Sequence, residues 1–151
     1  MVKEILCAID DMEYSEKAAD FAIGLAKQLS AKIIFYMINP AVLPGPLGPP
    51  VHLWTDDYIQ GYLNEALRRA LAAGLQGARC VTNRADSISE AIVAYAERHQ
   101  VDLIVVGACR ERHLMDSLRG TVSRTVADNA NCPVLVVRQV RGDQHHDQLA
   151  H

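Results

Sequence analysis

Glycines and hydroxyl side chains with the potential to hold a phosphate fall in the stretch GACRERHLMDSLRGTVSRTV, which begins at Gly107. Gly107 follows an apolar run, and Gly120, Thr121 and Ser123 open a segment with a helical pattern. The start of a helix offers phosphate both hydrogen-bond donors and the positive end of the helix dipole. Glycine lets the backbone approach a ligand closely. The stretch therefore predicts either a phosphate-holding loop or a plain strand-to-helix turn in which a hydroxyl caps the helix.

The elements around this stretch alternate between apolar runs and helical patterns. The runs EILCAID, KIIFYMI, ARCVT, VDLIVVG and PVLVVR predict five strands. The four segments between them carry apolar stripes at helical spacing, with Ser15 placed to cap the first helix and SISE forming a capping box before the third. This alternation predicts an α/β domain with a doubly wound, five-stranded parallel sheet and helices on both faces.

Two turns of this predicted sheet carry unusual residues. Asp10 and Asp11 follow the first strand, and Gly107 follows the fourth. In open parallel sheets a ligand binds beyond the carboxyl ends of the strands, where the strand order reverses. We therefore predict a ligand cleft between the ends of the first and fourth strands.

The remaining segments predict irregular structure. NPAVLPGPLGPPVHLW, residues 39–54, is rich in proline, which interrupts regular hydrogen bonding, so we expect a long surface loop. Residues 139–151 lack an apolar pattern and predict a disordered tail. Residues 1–138 are then one domain.

Composition excludes several classes of protein. The chain has 151 residues, half of them hydrophobic, and a net charge of −3, which lacks the basic excess of a nucleic-acid binder. No apolar run approaches the length of a membrane span and no signal-like segment opens the chain, so we expect a cytoplasmic protein. Four cysteines without a Cys-x-x-Cys pair predict reduced thiols.

The chain resembles the universal stress protein family, some members of which bind ATP. The resemblance extends from ILCAIDDMEYSEKAADFA to VDLIVVGACRERHLMDSLRGTVSRTVADNANCPVLVV. ATP-binding members carry glycine, two residues, glycine, nine residues, then glycine followed by serine or threonine. Gly107, Gly120 and Thr121 match three of these positions, whereas Arg110 stands at the middle glycine.

The resemblance implies the strand order 3-2-1-4-5 and a stress-response regulatory protein that binds ATP or AMP, with Mg²⁺ left open. Asp10 would accept hydrogen bonds from ribose or adenine, and Met37 would pack against the base. The implied nucleotide-binding residues are Ala8, Ile9, Asp10, Met37, Gly107, Arg110, Gly120, Thr121, Val122 and Ser123. A homodimer through the last strand, Val134 to Val137, is also implied, and a bare apolar edge strand favours such pairing.

Each site residue also has a structural interpretation. The glycines would serve turns, Asp10 would cap the turn beside it, and Met37 would fill the core. Under this structural interpretation the protein is a dimeric interaction protein that binds no nucleotide. A weaker alternative is a thiol sensor at Cys109, which lies beside Arg110 and Arg112.

Other functional hypotheses require residues that this sequence lacks. A receiver domain would use Asp10 and Asp11 but needs an aspartate after the third strand and a lysine after the fifth, where CVTNR and VVRQV stand. The tail histidines His145, His146 and His151 lack an evident fourth metal ligand. There is no P-loop lysine and no dinucleotide fingerprint. We therefore predict a binding protein and not an enzyme, with slow ATP hydrolysis left open.

Overall fold

The computed structural model describes residues 1–42, 46, 48–109 and 120–139. The predictions for Arg110 and for residues 140–151 of the tail lie outside these residues. Gln139, predicted to open the disordered tail, instead ends the last strand, because it pairs with Cys109. The structure does not describe the side chains of Cys109 and Thr121. The elements, in chain order, are β1 (Glu4–Ala8), α1 (Glu13–Leu29), β2 (Lys32–Val42), β3 (Val51–His52), α2 (Asp56–Ala72), β4 (Arg79–Ala85), α3 (Ile88–Arg98), β5 (Leu103–Cys109), α4 (Gly120–Asn129) and β6 (Val134–Gln139).

Five parallel strands form the main sheet in the order β4-β2-β1-β5-β6. The short strand β3 was not predicted, so β4, β5 and β6 are the third, fourth and fifth strands of the prediction. The observed order is therefore the predicted 3-2-1-4-5 order. β1 pairs directly with β5, with Ile5 opposite Leu103 and Cys7 opposite Val105. The order reverses between these two strands, so the predicted fold class is confirmed. Asp10 follows β1 as predicted, whereas Gly107 lies inside β5, opposite Val137 of β6, because this strand continues to Cys109.

The proline-rich segment is more regular than the sequence predicts. β2 continues through Pro40 to Val42, and β3 pairs antiparallel with the end of β2, Val51 opposite Val42. The expectation of an irregular loop over the whole of residues 39–54 is therefore wrong at both ends. Pro40 is accommodated because its carbonyl, which proline retains, accepts a hydrogen bond from the N–H of Leu53 at 3.0 Å.

The first helix begins before the predicted cap. Met12 is the N-cap residue of α1 and its side chain makes no capping hydrogen bond. Ser15 lies inside the helix, where its Oγ accepts a hydrogen bond from the N–H of Asp10 at 2.8 Å. The predicted cap at Ser15 is therefore wrong, because that hydroxyl ties the helix back to the turn after β1.

Helices cover both faces of the sheet and create two cores. On one face, side chains of α1 and α2 pack against Cys7, Phe35 and Val105 of the central strands. On the other face, α3 and α4 pack against Leu6, Ile34 and Ile104. The neighbouring strand residues alternate between the two faces, as the period of two in a β-strand requires.

Candidate functional site

A cleft, here called the edge cleft, lies beyond the carboxyl ends of β1 and β5. It is closed on one side by α3 and α4 and on the other by the turn into α1 and the segment after β3. Its lining residues are Ala8, Ile9, Asp10, Tyr14, Ser15, Ile38, Pro40, Leu53, Trp54, Ile88, Ile92, Val106, Gly107 and Val122. The structure thus brings together five of the predicted site residues, Ala8, Ile9, Asp10, Gly107 and Val122.

The carboxylate of Asp10 is held by its own turn. Its Oδ1 accepts a hydrogen bond from the N–H of Met12 at 2.8 Å, and its Oδ2 accepts one from the hydroxyl of Tyr14 at 3.2 Å. The first contact is the local capping expected of an aspartate in a turn. Asp10 is therefore fixed in place at the edge cleft, with its position set by the start of α1.

Gly107 is required by packing. A Cβ atom at this position would lie 2.7 Å from the carbonyl oxygen of Tyr14 and 2.9 Å from Cδ2 of its ring. Both distances are too short for real Cβ contacts. The first turn of α1 occupies the space that a side chain at position 107 would need. The close approach that glycine permits here is therefore between two parts of the protein.

The first turn of α4 borders the edge cleft. Gly120 begins this helix and Val122 lines the cleft, whereas the side chain of Ser123 is buried. The first N–H groups of a helix have no partner within it, and the dipole makes this end positive. No acidic residue lies in this first turn. The geometry therefore suits a negatively charged group at the α4 side of the cleft.

Met37 lies on the opposite face of β2 from the cleft. Its side chain is fully buried in the core beneath α1 and α2, together with Cys7 and Phe35. The next residue, Ile38, lines the cleft because successive strand side chains point to opposite faces. The structure does not bring the Met37 side chain together with the other predicted site residues.

Sequence reasoning missed the wall that faces Gly107. The side-chain amide of Asn39 is buried and makes two hydrogen bonds with the backbone of Trp54. Its Nδ2 donates to the Trp54 carbonyl at 2.7 Å, and its Oδ1 accepts from the Trp54 backbone N–H at 3.0 Å. These two bonds hold Trp54 against the cleft. This arrangement depends on a long-range pairing across the proline-rich segment, so no local sequence pattern predicts it.

The edge cleft is narrow in this structure. It encloses about 70 Å³, which is well below the roughly 300 Å³ of small ligand pockets. The bulky side chains of Tyr14, Leu53 and Trp54 are among its lining residues. A ligand the size of a nucleoside therefore needs more space than the cleft encloses in this structure.

The described cysteines are not built for thiol chemistry. Burial raises the pKa of the Cys7 thiol to about 12, and burial also raises the pKa of Cys80 and of Cys132. A raised pKa suppresses the reactive thiolate at neutral pH.

In the described part of the chain no group of three or more histidine, cysteine or acidic side chains is arranged to hold a metal ion.

The family follows from comparison with known proteins. A model described as the universal stress protein family matches residues 1–138. The chain belongs to the universal stress protein family. Across the described residues, no helix has the length and apolar character needed to cross a membrane.

Similar proteins match over almost the whole chain. Universal stress protein YxiE of Bacillus subtilis is 31% identical over 151 residues, covering 91% of this chain and 100% of that protein. Universal stress protein MJ0531 of Methanocaldococcus jannaschii is 29% identical over 144 residues, covering 92% of this chain and 84% of that protein. A crystal structure of a universal stress protein in complex with cAMP has a TM-score of 0.72 at 25% identity, covering 92% of this chain and 98% of that one.

Proposed function

We propose that this protein is a stress-response regulator that binds an adenine nucleotide, AMP or ATP, in the edge cleft. The observation that carries the proposal is the direct pairing of β1 with β5, which places Asp10, Gly107 and the first turn of α4 around one cleft. The similar universal stress protein solved with cAMP supports an adenine nucleotide as the ligand. We also propose that the protein acts in the cytoplasm and catalyses no reaction.

The edge cleft offers each part of a nucleotide a different environment. The first turn of α4 presents N–H donors and a positive dipole end to the phosphate. Asp10, fixed by Met12 and Tyr14, lies where a ribose hydroxyl would donate. The base would pack among Ile38, Pro40 and Trp54, because these apolar groups line the cleft.

Calorimetric titration with AMP and with ATP tests the proposal. Thr121→Glu adds a carboxylate to the first turn of α4, where it repels phosphate yet suits the helix dipole, so the fold should persist. We expect at least a tenfold loss of affinity. Ala127→Glu is the matched control, because Ala127 is exposed and lies six residues further along the same helix, away from its first turn. Absence of binding by the unmodified protein, or equal affinities of the two variants, contradicts the proposal.

Arg110 belongs to the proposed site as a phosphate ligand. A guanidinium forms short, charge-assisted and often bidentate hydrogen bonds with phosphate. Arg110→Gly, which restores the glycine motif, should then weaken ATP more than adenosine, and the unmodified protein should show the steeper salt dependence. A gain of ATP affinity in this variant would show that Arg110 obstructs the site.

We also propose that the protein forms a homodimer through β6. In the described residues β6 pairs only with β5, so its other edge carries main-chain groups open to a second copy. An isologous contact through Val134 to Val137 would cover that edge. Light scattering at micromolar concentration should give about twice the 16.6 kDa of one chain. A monomer under these conditions contradicts this assembly.

A further inference from the structure

The side chain of Tyr14 connects two residues of the proposed nucleotide site. Tyr14, Asp10 and Gly107 all line the edge cleft. The hydroxyl of Tyr14 donates to Oδ2 of Asp10 at 3.2 Å. Cδ2 of its ring lies 2.9 Å from the position that a Cβ atom of residue 107 would take. The ring therefore extends from β5 to the turn after β1, beside the carboxylate that the proposed function assigns to the ribose.

The Tyr14 hydroxyl already makes the contact that is proposed for the ribose. A ribose hydroxyl would donate to the Asp10 carboxylate through the same kind of O–H···O bond that Tyr14 makes with Oδ2. With the ring in this position the edge cleft encloses about 70 Å³, whereas small ligand pockets enclose roughly 300 Å³ or more. The Tyr14 ring and a ribose are therefore alternative occupants of the space beside Asp10.

A side-chain rotation is enough to move Tyr14 out of this position. Since α1 begins at Glu13, Tyr14 lies in the first helical turn, where no preceding turn restricts its χ1 angle. Its side chain is partly exposed, so the ring has a path to solvent. Its bond to Asp10, at 3.2 Å, is longer than the roughly 2.8 Å typical of O–H···O bonds. The ring can therefore leave the cleft while the helix stays intact.

Asp10 keeps its position when Tyr14 moves. Its Oδ1 accepts a hydrogen bond from the N–H of Met12 at 2.8 Å. Its own N–H donates to Oγ of Ser15, also at 2.8 Å. Neither bond involves the Tyr14 side chain. Displacement of Tyr14 therefore opens space beside a carboxylate that is already in place.

We propose that Tyr14 blocks the edge cleft in the free protein, and that the nucleotide binds by displacing its side chain. A ribose hydroxyl then takes over the bond to Oδ2 of Asp10. This inference rests on the proposed function of the edge cleft and adds a closed state to it. The apparent affinity of a ligand falls in proportion to the fraction of molecules in the binding-competent state. Tyr14 thus sets the nucleotide concentration at which the protein responds.

Calorimetric titration with AMP of two Tyr14 variants tests this inference. Tyr14→Phe removes only the bond to Asp10 and should raise AMP affinity about threefold, because the closed state is weakened. Tyr14→Ala also removes the ring and should raise it at least tenfold. Tyr62→Phe and Tyr62→Ala are the matched controls, because Tyr62 is a partly exposed helical tyrosine that does not line the edge cleft. Their AMP affinities should equal that of the unmodified protein.

NMR follows the displacement in the unmodified protein. Nuclear Overhauser effects between the Tyr14 ring and the α-protons of Gly107 should be present in the free protein and absent at saturating AMP. Their persistence in the complex overturns the inference. Equal or weaker AMP affinity in both Tyr14 variants also overturns it, and leaves the proposed function standing if the unmodified protein binds AMP. Absence of AMP binding by the unmodified protein overturns both.

Discussion

The edge cleft shares Ile9, Asp10 and Ser15 with a second cleft, here called the helix cleft, which lies between α1 and α2, and the two clefts differ in size. The edge cleft encloses about 70 Å³ and adjoins the positive end of α4, whereas the helix cleft encloses about 600 Å³ between α1 and α2. A glycine has opposite consequences in the two places. At Gly107 the missing side chain admits the backbone of Tyr14, and at Gly61 it leaves the space open. Glycine therefore creates a cavity only where no other part of the chain takes the space.

The largest expected effect comes from adding a methyl group at each glycine. Gly107→Ala places a Cβ atom against the Tyr14 backbone, which should lower the free energy of unfolding by about 2–3 kcal/mol. Gly61→Ala meets no atom and improves helix propensity, so it should raise that free energy by about 0.5–1 kcal/mol. Urea denaturation measures both. Changes of the same sign would refute the contrast between the two clefts.

A smaller effect is expected from releasing the wall of the edge cleft. Asn39→Leu removes both hydrogen bonds to Trp54 and should lower the free energy of unfolding by about 1–2 kcal/mol. Emission from Trp54, which is the sole tryptophan, should shift to longer wavelength as the ring becomes more exposed. Asn64→Leu, at an exposed position of α2, is the control. Unchanged emission in Asn39→Leu would show that this amide does not hold the wall.

The alternation of buried strands and helices could be predicted from the sequence, because both carry local patterns. The strand order, which brings Asp10 near Gly107, was implied by the resemblance to universal stress proteins. The bonds between Asn39 and Trp54 could not be predicted, since they join residues 15 positions apart across a proline-rich segment. The resemblance directed attention to Met37, but the alternation of side chains along β2 puts its neighbour Ile38 in the cleft. The helix cleft also escaped prediction, because the packing distance between α1 and α2 is a tertiary property.

The smallest expected effect concerns the cross-link at the far end of the helix cleft. Arg69→Met removes the ion pairs with Glu16 and Asp20, whose carboxylates are more than half exposed. The free energy of unfolding should fall by only about 0.2–1 kcal/mol. Urea denaturation measures this change, and a fall of more than about 2 kcal/mol would contradict the assignment of Arg69 to exposed ion pairs.

The central claim is that the adenine nucleotide occupies the edge cleft. Titration of isotopically labelled protein with AMP, followed by amide and indole NMR shifts, tests it most directly. The account predicts saturable shifts at Gly107, at Val122 and Ser123 in the first turn of α4, and at the Trp54 indole, with Gly61 unmoved. Shifts concentrated at Gly61 and Tyr62, or no saturable shift at Val122 and Ser123, would contradict it.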